Sequence, residues 1–314
     1  MELNPVACRA RFASGELPKA DYIRLMHASY RRLFEIAALM TGSTVARIEI
    51  LPGEVQIVLA DGARFWVDPE DVRQPQLEEL HFGGFEAHEW DSLCALVRPG
   101  MRVLDVGANI GWYTVRFARR FPDVTIDAFE PVPHTFGVLA RNVGLNAPKN
   151  VTLHPFGLSD REGEADFHFS AASTGAASAA NILGLPDAAT VRVRLRTLDG
   201  FCRDTGTAPD FIKCDVEGGE LLFLKGGRET VRAARPMIFL EMLRKWAAKF
   251  GYHPNEIIDL LAGDGYACFE MTPAGPAPLA RMTDATAGTN FLFLHPDRHS
   301  DTIREVTRHE GQSQ

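Results

Sequence analysis

Basic runs are missing from this chain: no block of five or more Lys or Arg occurs, and the formal net charge is −8. A protein that tracks phosphates carries a basic surface, so nucleic acid is not an expected partner. Cysteine is scarce, with five in 314 residues (Cys8, Cys94, Cys202, Cys214, Cys268) and no CxxC pair. Neither a disulfide framework nor a zinc knuckle is implied. No apolar run approaches a membrane span, and the N-terminus lacks the basic, apolar, small-residue order of a signal peptide. The expected compartment is the cytoplasm, without membrane insertion. Two phosphate-binding signatures, GxGxxG and GxxxxGK[ST], are also absent. What is present, 46% apolar and 24% charged residues, is the balance of a soluble globular protein with one large domain or a domain plus an appendage.

Apolar residues at helical intervals from 20 to 41 (Tyr22, Leu25, Met26, Leu33, Ile36, Ala37, Met40) predict an amphipathic helix that Gly42 closes. TVARIEIL, EVQIVLA and ARFWVDP then alternate around Pro52-Gly53 and Asp61-Gly62, which predicts an antiparallel meander. Helix and meander form a candidate N-terminal cap over residues 1–75, and residues 76–314 form the main domain. From about residue 98 strands and helices alternate. Strands are expected at 102–106, 124–129, 151–156, 210–215, 236–242, 266–271 and 289–294; helices at 111–121, 133–145, 219–232 and 254–263. That rhythm is an α/β fold with a mostly parallel sheet covered by helices. EADFHF and VRVRLRT read as an inserted antiparallel pair, and the small-residue stretch 170–189 between them reads as a mobile loop.

In such a sheet ligands bind beyond the carboxyl ends of the strands. Asp105-Val106-Gly107-Ala108-Asn109-Ile110-Gly111 stands there, and Gly107 and Gly111 let the backbone turn and approach a ligand. Asn109 occupies the place where a dinucleotide loop has its second glycine. An acid aimed into the loop repels phosphate and attracts a cation, which favours S-adenosylmethionine over NAD. Glu130, at the end of the next strand and before Pro131, is placed to accept ribose hydroxyls. Ser159 and Asp160, after the third strand, are placed for the adenine amino group, with Leu158 against the ring.

VLDVGANIGWYTV, AFEPVP, GLSDREG, LRTLDGF and above all FIKCDVEGGELLFLKGG resemble the FkbM family of S-adenosylmethionine-dependent methyltransferases, over roughly residues 80–294. The resemblance implies a Rossmann-like class I methyltransferase fold, a seven-stranded sheet with a reversed final hairpin. It implies O-methylation of small molecules or sugars in natural-product, glycolipid or polysaccharide pathways. Carried over, the donor site is Asp105, Gly107, Asn109, Gly111, Glu130 and the Ser159-Asp160 pair, and the acidic group after the fourth strand is Asp215, Glu217 and Gly218. Phe85-Glu86 resembles an aromatic-Glu pair that folds over the donor pocket, with Phe where Tyr is commoner.

Transfer to an alcohol needs a base or a metal to take the hydroxyl proton. Lys213, Asp215 and Glu217 alternate and share a face if extended, and Glu241 ends the neighbouring strand. Asp215 or Glu217 is the candidate base; the same pair with Glu241 is equally a candidate oxygen site for Mg²⁺ or Ca²⁺. Two plainer roles stay open: Glu217 capping the following helix, and Lys213 in a buried ion pair. His88 is a further candidate base. In the 170–189 loop, Ser173, Ser178 and Asn181 offer contacts suited to a polyol. The expected partner is a small-molecule or carbohydrate acceptor, with a homodimer through the N-terminal region as the other role for residues 1–75. The rival readings are a non-catalytic donor-binding protein and an NAD-linked oxidoreductase.

Overall fold

The computed structural model describes residues 4–170, 178 and 189–308. Two helices come first, α1 (Pro5–Ala13), which Asn4 caps through the Val6 and Ala7 amides, and α2 (Lys19–Leu39). Strands β1 (Val45–Leu51), β2 (Glu54–Leu59) and β3 (Arg64–Trp66) make the expected antiparallel meander. Helices α3 (Pro75–Phe82) and α4 (Ala87–Leu96) lead to the alternating region. That region opens with β4 (Arg102–Val106), α5 (Trp112–Arg120), β5 (Thr125–Phe129), α6 (Pro133–Asn146) and β6 (Val151–His154). The inserted pair is present as β8 (Gly163–Phe169) and β9 (Ala189–Arg196), antiparallel, with the short β7 (Gly157–Leu158) beside β9. The chain continues through α7 (Leu198–Thr205), β10 (Phe211–Cys214), α8 (Glu220–Gly226), α9 (Arg228–Ala234) and β11 (Met237–Glu241). It then runs through α10 (Arg244–Ala247), a 3₁₀ turn (Ala248–Phe250), α11 (Asn255–Gly263), β12 (Ala267–Thr272), β13 (Gly275–Pro278), β14 (Asn290–Leu294) and α12 (Pro296–Arg308).

The central sheet has the order β13-β12-β14-β11-β10-β4-β5-β6. Strands β11, β10, β4, β5 and β6 are parallel, and β14 lies antiparallel between β11 and β12. This is the expected parallel sheet with a reversed end, carrying an eighth strand. The extra strand, β13, is Gly-Pro-Ala-Pro, and its prolines are tolerated because it is an edge. The helix expected over 219–232 is two helices broken at Gly227. A Cβ there would lie 2.7 Å from Leu198 Cδ2, so the glycine lets α7 pack against the break.

Alternation along the strands divides the core in two. Leu104, Val106, Ile212, Cys214, Ile238 and Leu240 face one side, with α7, α8 and α11. Val103, Phe211, Met237 and Phe239 face the other, with α5. Ile57, Leu59 and Phe65 of the meander belong to that second cluster, together with Trp112 and Phe117. The meander is also pinned by polar bonds: Asn142 Oδ1 accepts from the Trp66 amide at 2.8 Å, Asn146 Oδ1 from the Arg64 amide at 3.0 Å, and Arg116 pairs with Asp61 at 3.0 Å. Among the described residues, no helix is long and apolar enough to cross a membrane.

Candidate functional site

The connections diverge between β4 and β10: β4, β5 and β6 follow one another outward, and β10 and β11 build the other half. At such a switch point the loops beyond the carboxyl ends part and leave a crevice. Here that crevice is a cavity of about 930 Å³ lined by the 106–109 loop, Glu130-Pro131, Gly157-Leu158-Ser159 and the 215–219 turn.

Gly107 has φ +76°, and a Cβ on it would lie 1.8 Å from the Asp215 carbonyl oxygen. Its glycine therefore serves a close approach of two loops as well as a left-handed turn. Gly111, at φ +89°, starts α5 and packs on Leu139 of α6 rather than lining the cavity. Asn109, also left-handed at φ +48°, lines the cavity with its Oδ1 buried and without a hydrogen-bond partner. Glu130 is buried and accepts the Asn109 amide at 3.1 Å and the Val132 amide at 2.9 Å, one on each oxygen. Burial pushes its carboxyl up to about 7 despite those bonds. Each of its oxygens keeps a lone pair for a ligand hydroxyl.

Asp105 does not enter the cavity as expected. Its side chain lies beneath the loop, where Thr114 Oγ1 donates to it at 2.6 Å and Lys213 Nζ stands 3.8 Å away. Asp160 is likewise outside the cavity; it turns toward Ser159 Oγ at 3.3 Å and Arg161, and Ser159 alone of the pair lines the wall. His88 is exposed on α4 and takes no part in the carboxylate group, because two residues of helix turn it away from Glu86. Glu86 accepts the Tyr113 hydroxyl at 2.6 Å, and burial raises it to about 6. Glu86, expected at the donor pocket, does not line the cavity because its carboxyl is turned to the Tyr113 hydroxyl, and Phe85 packs edge-on against Trp112.

Asp215, Glu217 and Glu241 come together, each with an oxygen within 4.8 Å of the others'. Lys213 is buried between Asp105 and Asp215 (3.8 and 3.4 Å), which is the ion-pair role; burial opposes its charge, and the two carboxylates overcome it and raise its pKa. It leaves the other two carboxylates unbalanced. Burial and the neighbouring acids push both Glu217 and Glu241 well above the carboxylate range. Glu217 Oε2 is buried without a hydrogen-bond partner among the described residues.

Glu217 does not sit in an extended strand, since β10 ends at Cys214 and Glu217 is left-handed at φ +53°. Nor does it cap α8; the N-cap is Gly219, without a side-chain bond. The neighbour Glu220, which the sequence did not single out, does the holding. Its Oε1 accepts the Val216 amide at 3.2 Å and the Gly218 amide at 3.0 Å, the two that bracket Glu217. Tyr252 closes the bracket, with its hydroxyl 2.9 Å from the Gly218 carbonyl and 3.1 Å from Glu220 Oε2. Ser178 Oγ donates to the Glu217 carbonyl at 2.9 Å; Ser173 and Asn181 lie outside the described residues, as does most of the loop read as mobile. Geometrically, one cavity has a carboxylate and an unpartnered amide oxygen at one end and a proton-accepting carboxylate group at the other.

A family model described as the methyltransferase FkbM domain matches residues 105–268. Among characterised relatives, 2-O-methyltransferase NoeI of Sinorhizobium fredii is 31% identical over 155 residues, 45% of this chain and 63% of that protein. Methyltransferase 1 of Beauveria bassiana is 43% identical over 56 residues, covering 18% and 22% of the two chains. The 31-O-demethyl-FK506 methyltransferase FkbM of Streptomyces tacrolimicus is 48% identical over 46 residues, covering 15% and 18%. The chain thus spans less than two thirds of the length of each of these relatives. A solved FkbM methyltransferase from Methylobacillus flagellatus superposes at a TM-score of 0.39 with 18% identity, over 69% of this chain and 52% of that one.

Proposed function

Because the chain belongs to the FkbM methyltransferase domain family, we propose that it is an S-adenosylmethionine-dependent methyltransferase acting on a hydroxyl of a small molecule or sugar. The observation that carries this reading is the pairing, within one cavity, of Glu130 and the orphaned Asn109 Oδ1 with the orphaned Glu217 Oε2. Asn109, Glu130, Pro131, Leu158 and Ser159 would hold the donor, which has no phosphate and so suits a cavity walled by carboxylates. When bound, it supplies a methyl group on a sulfonium.

The rest of the chemistry belongs to the chain's own residues. The ionised fraction of Glu217 takes the acceptor's hydroxyl proton at Oε2, so turnover rises with pH as that carboxyl loses its own proton. Burial, with the charges of Asp215 and Glu220 beside it, raises its proton affinity, which makes its ionised form a stronger base than an ordinary carboxylate. Lys213 sets one positive charge between Asp105 and Asp215, and among the described residues no ion pair joins it to Glu217. The names of the two relatives that specify a 2-O- and a 31-O- position support oxygen as the methylated atom.

The test is calorimetric titration of S-adenosylmethionine and S-adenosylhomocysteine, with NAD in parallel. Saturable binding of the first two, weakened about tenfold or more in Glu130→Ala, is expected. Binding of NAD alone would contradict the reading. The grouping of Asp215, Glu217 and Glu241 within 4.8 Å supports a second reading, in which they hold Mg²⁺ or Ca²⁺. Turnover that EDTA abolishes and either ion restores would favour it over the base.

A further inference from the structure

The N-terminal helical hairpin does not line the cavity, and eight of the twelve large apolar side chains exposed among the described residues lie on it. Helix α2 is 21 residues long, about 31 Å, yet none of its side chains is buried and every residue from Tyr30 to Leu39 is exposed. Phe34 is 78% exposed, Ile23 57% and Tyr30 55%. Phe12 of α1 stacks on Tyr22 with ring centroids 4.5 Å apart, so the hairpin is held to itself by its base. A helix with large apolar side chains along its length is stabilised by burying them, not by its own propensity.

The pattern of those side chains specifies what covers them. Ile23, Met26, Tyr30, Leu33 and Ala37 follow alternating steps of three and four residues, the seam of a helix–helix pair. Phe34 widens that seam, while Ile36 and Leu39 lie round the helix from it and are exposed as well. Apolar surface on more than one side fits enclosure among helices; a helix lying in a bilayer surface keeps one face in water. The polar positions carry both signs, with Asp21 paired to Arg24 and Glu35 among Arg31 and Arg32. Area agrees with this. The exposed apolar side chains of the hairpin, Val6 and Phe12 included, amount to roughly 700 Å², close to the ~800 Å² that each partner of a stable complex contributes.

We propose that a second copy of this chain covers the hairpin, two α1–α2 hairpins packing as a four-helix bundle about a two-fold axis. A self-complementary patch needs no other partner, and a two-fold pair of hairpins is the commonest closed solution. The inference stands independently of the methyltransferase reading, since it uses no residue of the cavity.

Sedimentation equilibrium of the full chain over about a hundredfold range of micromolar concentration tests it. The expected result is a dimer. In Phe34→Glu, dissociation should strengthen by about tenfold or more, with helix content and melting midpoint at high dilution unchanged, because Phe34 touches little in its own chain. Val72→Glu, which alters a side chain 73% exposed in the segment before α3, should leave the dimer intact. A monomer throughout the range, or a dimer indifferent to both Phe34→Glu and Tyr30→Glu, would overturn the proposal. So would a monomer that sediments with phosphatidylserine-containing vesicles and loses them in Phe34→Glu, which would assign the face to lipid.

Discussion

Two acidic groups, one inside the central sheet on β5 and one where β10 and β11 end, behave in opposite ways. Asp127 of β5 is buried, with Arg102 Nε and Nη2 at 3.0 and 2.9 Å and His154 Nε2 at 2.9 Å. Burial works to raise its carboxyl, and the His154 and Arg102 bonds more than cancel it, so the group is held below the usual range. Among the described residues Glu217 and Glu241 have no such partners, and the same burial drives them upward. Burial alone therefore does not make a reactive carboxylate. The difference is whether opposite charge has been placed beside it, and Glu217 of the unbalanced pair lines the cavity.

Removing each carboxylate sharpens that contrast, beginning with the largest effect. Glu217→Gln should lower turnover by about 10²–10⁴ and leave donor affinity nearly unchanged, which steady-state kinetics beside calorimetry would check. Asp127→Asn should do the reverse. Breaking its paired charges should cost on the order of 2 kcal/mol in a urea titration, below the value for a fully buried pair because Arg102 is partly exposed, with turnover per folded molecule retained. Glu220→Ala should lower kcat about tenfold by releasing the amides that bracket Glu217, and Glu220→Gln should recover much of it because one acceptor oxygen remains.

The smallest effect is on pH-dependent stability. Glu217 and Glu241 hold their protons more tightly folded than unfolded. Their contribution is fully present below the ordinary value of 4.5 and is lost as pH rises through the raised folded values. Glu241→Gln removes one of these groups and relieves the other. Its melting midpoint should therefore gain on wild type progressively from acid to alkaline pH, as scanning calorimetry would record.

Much of one wall of the cavity was legible because its residues are fixed by spacing: a glycine loop after one strand and a carboxylate ending the next place Gly107, Asn109 and Glu130 there without knowledge of the packing. Strand positions in the parallel half were legible for the same reason, since apolar runs bounded by turns identify buried strands. Orientation within the loops was not. Whether Asp105 looks up into the cavity or down toward Thr114 depends on Lys213, a residue more than a hundred positions away. Glu220 reads as an ordinary first-turn acid of a helix, and its role appears only when Tyr252 folds over it. Helices α1, α3 and α4 escaped because they are short and carry weak periodicity, and β13 because its prolines argue against a strand; α7, α10 and α12 were missed as well, although α7 and α12 are amphipathic.

Carboxyl-detected NMR titration of the chain labelled at the glutamate and aspartate side-chain carbons tests the central claim most directly. The account predicts two glutamates titrating above neutral pH, one lost and the other shifted downward in Glu241→Gln, and Asp127 titrating below the usual aspartate range. Glu217 and Glu241 titrating together with the exposed glutamates near 4.5 would contradict it.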